Sequence, residues 1–366
     1  MKVTVLTCFE SNEERASYVL AACKEKGYDV EAITSDFSHI KKKKRDSVPD
    51  GFITIDTKPY SRNLSIERIL SHRQFAKDAF RYIQDHKPDL LWIMAPANSL
   101  IEAGKLFKKD NPEVRIVVDI IDMWPESLPL SSFKNMFPFS IWRNIRRNNI
   151  DCGDVVVSEC EMYHSILKNE YGKDIRTLYW ARDEKVLNDR KKLGNDALSL
   201  CYIGSINNII DIDEICRVIS MIDMPCNIHI IGEGENTESF IDRLKEVCSV
   251  DYHGVIYDEK TKTDIFDRCH AGINIYKKNL YIGLTTKCID YFRNGLPIIN
   301  NIKGDTWSFV KNNGVGFNVD DNNVIKGSDI IEKRLNNDNI YNLYDENFTR
   351  KVFSRKCIEI VKEAMK

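Results

Sequence analysis

The stretch Tyr281-Ile-Gly-Leu-Thr-Thr-Lys-Cys-Ile-Asp-Tyr-Phe-Arg-Asn-Gly-Leu-Pro-Ile-Ile-Asn300 reads as a glycine loop, a short helix and a buried strand. Gly283 permits the backbone angles that a close approach needs, and Thr285 or Thr286 suits the helix N-cap. Gly295 fits the position just past the helix, Pro297 bars its continuation, and Ile298-Ile299 opens a strand. At about 100° per residue, Thr286, Lys287, Asp290 and Asn294 share one arc, with Cys288 and Phe292 opposite. A helix N-terminus with a lysine beside it attracts anions. An acidic residue one turn further can accept hydrogen bonds from sugar hydroxyls, so the stretch suggests a nucleotide-sugar site. The competing reading is a solvated Lys–Asp surface pair worth a few tenths of a kcal/mol.

Around this stretch, strands and helices alternate, which predicts parallel sheets covered on both faces. In the first half the predicted strands are Lys2–Thr7, Val30–Ile33, Leu90–Met94, Arg115–Ile121 and Asp154–Ser158. Helices are predicted over Asn12–Lys26, Ser65–His86, Ser99–Lys108, Ile141–Asn149 and Cys160–Tyr171. A second series starts with strand Ser199–Ile203, helix Ile212–Ile222 and strand Cys226–Ile231. It continues with helix Ser239–Cys248, strand Val250–His253, helix Lys260–Asp267 and strand Ala271–Ile275. The charged segment Ala181–Asp196 is the expected linker. Residues 1–180 then form one Rossmann-like domain, 181–345 a second, and 346–366 a helix that can cross back to the first. Lys41–Arg45 and the Asn-rich Asn336–Asn342 read as surface loops. Doubly wound halves take ligands at the carboxyl ends of their strands, so the cleft between them is the default site.

A chain of 366 residues favours two domains over one core. Its composition, 43% apolar and 30% charged with a net charge of -2, is globular and makes no electrostatic case for nucleic acid. No apolar run reaches the length of a membrane span, and Met1-Lys-Val-Thr-Val-Leu6 reads as a strand rather than a signal peptide, so a cytoplasmic protein is expected. The 11 cysteines include no Cys-x-x-Cys pair and the 7 histidines show no ligand spacing, which argues for reduced core thiols and no metal site.

Three further motifs stand at strand ends. Tyr202-Ile-Gly204-Ser205 offers a glycine that lets a phosphate near the backbone and a hydroxyl donor beside it. Ile230-Ile-Gly232-Glu-Gly234 lacks the third glycine of a dinucleotide fingerprint, which excludes a nicotinamide reading. Asp122-Met-Trp124-Pro125-Glu126-Ser127 follows a first-half strand; a carboxylate with an aromatic face beside it suits a sugar. Each has a plain alternative: a strand-end glycine, or an aspartate that caps while the tryptophan packs in the core.

Taken together, strand-Gly-Ser, Ile-Gly-x-Gly, His253-Gly-Val-Ile-Tyr257 and Gly-Leu-x-Thr-Lys-x-x-Asp-Tyr-x-x-x-Gly-Leu-Pro-Ile resemble the retaining GT-B glycosyltransferases, family 4. Asp-Met-Trp-Pro-Glu-Ser is similar to the Asp-Leu-Trp-Pro-Glu-Ser turn of that family's bacterial surface-polysaccharide branch. The resemblance implies a GT-B α/β fold of two Rossmann-like doubly wound domains facing a central cleft. It also implies a nucleotide-diphosphate-sugar donor (a UDP-sugar first), no bound cofactor and no metal.

Carried over, Gly204, Ser205 and Gly232 belong to the diphosphate turns, and Ile256 and Tyr257 hold the base. Gly283, Leu284 and Thr285 pass the backbone by the donor sugar, Thr286 and Lys287 bind phosphate, and Asp290 takes the ribose. Asp122 sits by the acceptor and, with Lys287, is the catalytic candidate. Departures accompany these assignments. Asp290 stands where the family has a second glutamate, and Ile282 where it has the first. Asn207, Asn208 and Ile209 replace the usual Arg and Lys, and Ile121 a common histidine.

The implied reaction is sugar transfer with retention to a glycan or polyprenyl-diphosphate-linked acceptor in cell-surface polysaccharide synthesis. The diphosphate is stabilised by helix amides and Lys287. The basic Lys41–Arg45 and the aromatic-basic segment 133–147 suit a peripheral contact with an anionic membrane. Two other readings stay open: a non-catalytic GT-B subunit that supports a partner transferase, and a nucleotide-sugar epimerase.

Overall fold

The computed structural model of the chain describes residues 1–63, 65–128, 139–187, 193–194, 196–320 and 325–366. It divides into two compact units, Met1–Tyr179 with Lys351–Lys366, and Trp180–Arg350.

The first unit runs β1 (Lys2–Leu6), α1 (Glu13–Glu25), β2 (Asp29–Ser35), a small hairpin of β3 (Phe37–Ser38) and β4 (Lys43–Lys44), β5 (Phe52–Ile55) and α2 (Ile66–His86). Then come β6 (Leu90–Ala95), α3 (Ser99–Asp110), β7 (Arg115–Ile120), α4 (Phe139–Arg147), β8 (Val155–Ser158), α5 (His164–Tyr171) and β9 (Arg176–Thr177). Seven strands pair in parallel in the order β5-β2-β1-β6-β7-β8-β9. In β6 all of Leu-Leu-Trp-Ile-Met-Ala is buried, as a strand covered on both faces requires. A buried ion pair lies in this core: Arg15 of α1 bonds the Asp119 carboxylate through Nε (2.8 Å) and Nη2 (2.9 Å), and Trp92 Nε1 adds a third donor at 3.1 Å.

The second unit runs β10 (Leu198–Ile203), α6 (Ile212–Ser220), β11 (Cys226–Ile231), α7 (Thr237–Lys245), β12 (Ser249–Gly254), α8 (Glu259–Phe266) and β13 (Ala271–Asn274). It continues with α9 (Thr286–Arg293), β14 (Ile298–Asn300), α10 (Asp305–Asn313), β15 (Gly316–Asn318), α11 (Gly327–Leu335) and α12 (Asp338–Asn347). Its six strands are parallel in the order β12-β11-β10-β13-β14-β15. The strand order reverses between β10 and β13, and the crevice above such a reversal is where this class of sheet takes ligands. In the first unit the reversal lies between β1 and β6.

The helix α13 (Arg350–Ala364) packs, from Lys351 onward, within the first unit. Its Phe353 ring meets Tyr18 of α1 with centroids 5.6 Å apart, and Glu363 bonds Arg176 at 2.9 Å through both oxygens.

Some expectations need correction. The Asn-rich 336–342 is no loop: Asn337 is fully buried and donates to the Gly295 carbonyl at 3.0 Å, and α12 starts beside it. Lys41–Arg45 holds β4, and part of its charge is engaged; Lys44 Nζ contacts Asp36 (2.6 Å) and Asp56 (2.7 Å), while Arg45 clamps both oxygens of Glu13. Residues 133–138 of one predicted segment and 188–192 and 195 of another lie outside the described residues. The rest of 133–147 includes α4, where Arg143 and Arg146 pair with Glu126 and Arg146 also with Glu170. Among the described residues no helix is long and apolar enough to cross a membrane.

Candidate functional site

The chain end of β10 turns at Gly204 (φ +117°) and that of β11 at Gly232 (φ +138°), angles that side chains disfavour. The two turns touch. A Cβ on Gly232 would lie 2.1 Å from the Gly204 carbonyl oxygen, so this glycine is required by its neighbour's backbone. A Cβ on Gly204 would instead meet Lys287, 3.6 Å from Cε and 3.8 Å from Nζ. Gly232 N donates to the Gly254 carbonyl at 2.8 Å, which sets the turn after β12 alongside.

Lys287 occupies the first turn of α9 and is 7% exposed, so it is not the solvated surface lysine of the competing sequence reading. Its Nζ is buried without a hydrogen-bond partner, 4.0 Å from the Tyr202 ring centroid and 4.9 Å from that of Tyr276. Burial, only partly offset by the Cys288 and Cys201 thiols, draws its pKa down to about 7. Aromatic faces stabilise a cation by roughly 0.5–2 kcal/mol, less than desolvating an ammonium costs. An anion beside Gly204 would supply what the rings do not.

Thr285 takes the N-cap position, with extended backbone angles, yet its hydroxyl makes no capping hydrogen bond. It donates to Asn274 Oδ1 at 2.8 Å. Asn274 Nδ2 donates to Asn300 Oδ1 (2.8 Å), Asn300 Nδ2 to Asn318 Oδ1 (2.8 Å), and Asn318 Nδ2 to the Trp307 carbonyl (3.0 Å). These asparagines end β13, β14 and β15, so one amide ladder crosses three strands and draws the threonine hydroxyl off the helix. In the first turn of α9 the Cys288 amide donates to the Thr285 carbonyl (3.1 Å), and those of Thr286 and Lys287 remain as donors for a ligand. Sequence reading missed the ladder; the signal was an asparagine closing each of three apolar strands, Gly-Ile-Asn274, Ile-Ile-Asn300 and Gly-Phe-Asn318.

The remaining second-unit candidates divide. Thr286 and Ser205 are exposed, Gly283 and Leu284 buried, and Ile256 half-buried. Tyr257 is 88% exposed. The Gly283 carbonyl accepts from Thr306 N and Oγ1, both at 2.9 Å, which pins the loop to α10. Asp290, one turn along α9, is paired to Arg182 Nε at 2.9 Å; burial raises its carboxyl pKa despite this cation. Tyr291 fastens α9 to the sheet, its hydroxyl accepting from Ile203 N (3.0 Å) and donating to the Cys201 carbonyl (3.0 Å).

In the first unit, Asp122 follows β7. It is half-buried, accepts from Trp124 Nε1 at 2.6 Å, and burial raises its pKa against that bond. Trp124 is 9% exposed and packs among Phe9, His72 and Trp142, so its ring is mostly spent on the core. Among the described residues no group of three or more His, Cys, Asp or Glu side chains is placed to hold a metal ion.

No protein-family description matches the sequence, and no curated protein matches it. The fold is shared with solved structures. Sucrose-phosphate synthase from Thermosynechococcus elongatus superposes with a TM-score of 0.74 at 11% identity, over 99% of this chain and 98% of that one. HepE (Alr3699) from Anabaena, in complex with UDP and glucose, gives 0.68 at 12% identity, over 99% of both chains. A glycosyltransferase from Rickettsia africae gives 0.67 at 15% identity, over 100% and 98%. The chain therefore has the GT-B fold, with two units of Rossmann-like, doubly wound parallel sheet.

Proposed function

We propose that the chain is a glycosyltransferase that takes its sugar from a nucleotide diphosphate and binds that donor in the second unit. The observation that carries this reading is Lys287, whose buried, unpartnered Nζ stands beside Gly204 and the uncapped start of α9. Two glycine turns, a helix N-terminus and one desolvated cation make a cradle for a diphosphate. That HepE is solved with UDP and with UDP-glucose supports a uridine nucleotide as the first donor to try. Ile256 and Tyr257 are assigned to the base, Asp290 to the ribose, and Asp122 to the acceptor.

In the reaction we infer, the bond from the anomeric carbon to the diphosphate oxygen breaks while the acceptor oxygen attacks from the same face. The acceptor's proton passes to the departing phosphate, so configuration is retained and no strong protein base is needed. Lys287 and the α9 amides stabilise the charge that grows on the leaving group. The acceptor class is a glycan or lipid-linked saccharide of a surface polysaccharide.

Calorimetric titration with UDP tests the reading. Wild type is expected to bind, and Lys287→Met to bind about 10–100-fold more weakly, the loss of one charge-assisted contact. Equal affinity of both proteins, or no binding of UDP, ADP or GDP by wild type, would overturn it. Tight UDP binding without transfer from any donor would point to the partner-subunit role.

A further inference from the structure

A second cluster of basic side chains, some of them buried, lies in the first unit at the carboxyl ends of its strands, and the donor reading does not use it. Arg68, on the first turn of α2, is 2% exposed and makes no ion pair among the described residues. Its guanidinium lies 4.1 Å over Trp124, with Phe9 (5.6 Å) and Tyr60 (5.8 Å) as further walls. Of its five N–H groups one donates to the Asn63 carbonyl (2.8 Å) and one faces His39 Nε2 (3.4 Å), while Nε is buried with no partner. Lys42 shares the Tyr60 ring, its Nζ 4.6 Å from the centroid. His72 Nε2 is a further buried nitrogen without a partner.

The acids nearby are engaged elsewhere. Glu10 accepts from Ser38 Oγ (2.8 Å), Ile40 N (2.8 Å) and His39 N (3.0 Å), so its charge is held by that loop. Asp122 is bonded to Trp124 Nε1. Burial draws Arg68 down to about 10, only partly offset by Tyr60, Cys8 and Asp122, while burial together with the Arg68 charge draws His39 to about 3 and Lys42 below its ordinary value. An arginine buried in aromatics with no carboxylate on it is costly unless something else brings the charge. Around Arg68, Asn63 is exposed and accepts a hydrogen bond from Lys42 Nζ, while His39 and Lys42 are half-buried.

We infer that Arg68 and Lys42, walled by Trp124 and Tyr60, form a binding site for a compact oxyanion, a phosphate or carboxylate group of a substrate. This inference stands on the first unit alone and does not need the donor reading. On that reading, the ligand is an acceptor that carries the anion.

The test uses the full chain carrying Lys287→Met, which removes the cation of the second unit. Inorganic phosphate and acetate are titrated separately at constant ionic strength, with chloride as the balancing anion. Saturable one-site binding of at least one of them is expected, weakened tenfold or more by Arg68→Gln and by Lys42→Gln. Because Arg68 is buried, its variant can fail to fold; Lys42 is on a surface hairpin, so Lys42→Gln decides the matter in that case. No saturable binding of either anion, or binding that neither substitution weakens, overturns the inference. Loss of UDP binding by Lys287→Met with anion binding intact separates the two sites.

Discussion

Lys287 places a conflict between stability and binding on one side chain. Its pKa is about 7 when folded against 10.5 for the ordinary group. Between those values the unfolded chain binds more protons than the folded one, so unfolding free energy rises with pH across that window. The destabilisation is full below pH 7 and fades toward pH 10.5. Lys287→Met should therefore raise stability by about 1–4 kcal/mol at pH 6, with little gain at pH 10, while it loses UDP affinity. Denaturant melts of both proteins at the two pH values check this; a variant less stable at pH 6 would contradict the buried-cation account. The same lysine explains where sequence reading stopped. Nothing beside it in the sequence marks this lysine as buried; the rings it lies against, Tyr202 and Tyr276, come from β10 and from the segment after β13.

At the scale of elements, α9 is held open by a ladder that belongs to the sheet. An N-cap threonine normally bonds an amide of its own helix, and Asn274 takes that hydroxyl away. In Asn274→Leu, Thr285 has lost this acceptor and can turn back to cap α9, so UDP should bind several-fold more weakly. Adding Thr285→Val removes the cap and should restore most of the affinity. Calorimetry on the single and double variants tells a positioning role from general damage, since a merely damaged sheet would not be rescued. Elements such as β6 and β14 were legible because parallel strands buried on both faces read as unbroken apolar runs. The start of α12 was not legible, because asparagines advertise a turn unless a partner such as the Gly295 carbonyl holds them inside. Nor was the ladder, whose members are far apart in sequence and meet only through strand register.

For the molecule as a whole, the two units differ in how the chain supplies them. The second is continuous, Trp180–Arg350; the first draws on residues from both sides of it. From α13 it receives Phe353, Cys357, Ile358, Ile360 and Val361, each 5% exposed or less. At about 1.5–3 kcal/mol per buried side chain, their removal exceeds a large part of a domain's 5–15 kcal/mol. Deletion of residues 351–366 should thus unfold the first unit or make it protease-sensitive, while the second still binds UDP. Limited proteolysis with calorimetry reads both outcomes, and a truncated chain as resistant as wild type would refute the dependence.

The split supply of the first unit also sets an order of events at the ribosome. Its sheet emerges early, but α13 follows only after roughly 170 further residues have been made. At typical translation speeds of 5–20 residues per second that is a delay of about 10–35 s. Throughout it, the face of α1 that carries Tyr18 waits bare while the second unit is free to fold. The half of the protein that is synthesised first is then the half that finishes last, and a nascent chain is exposed to chaperones and proteases on its N-terminal side.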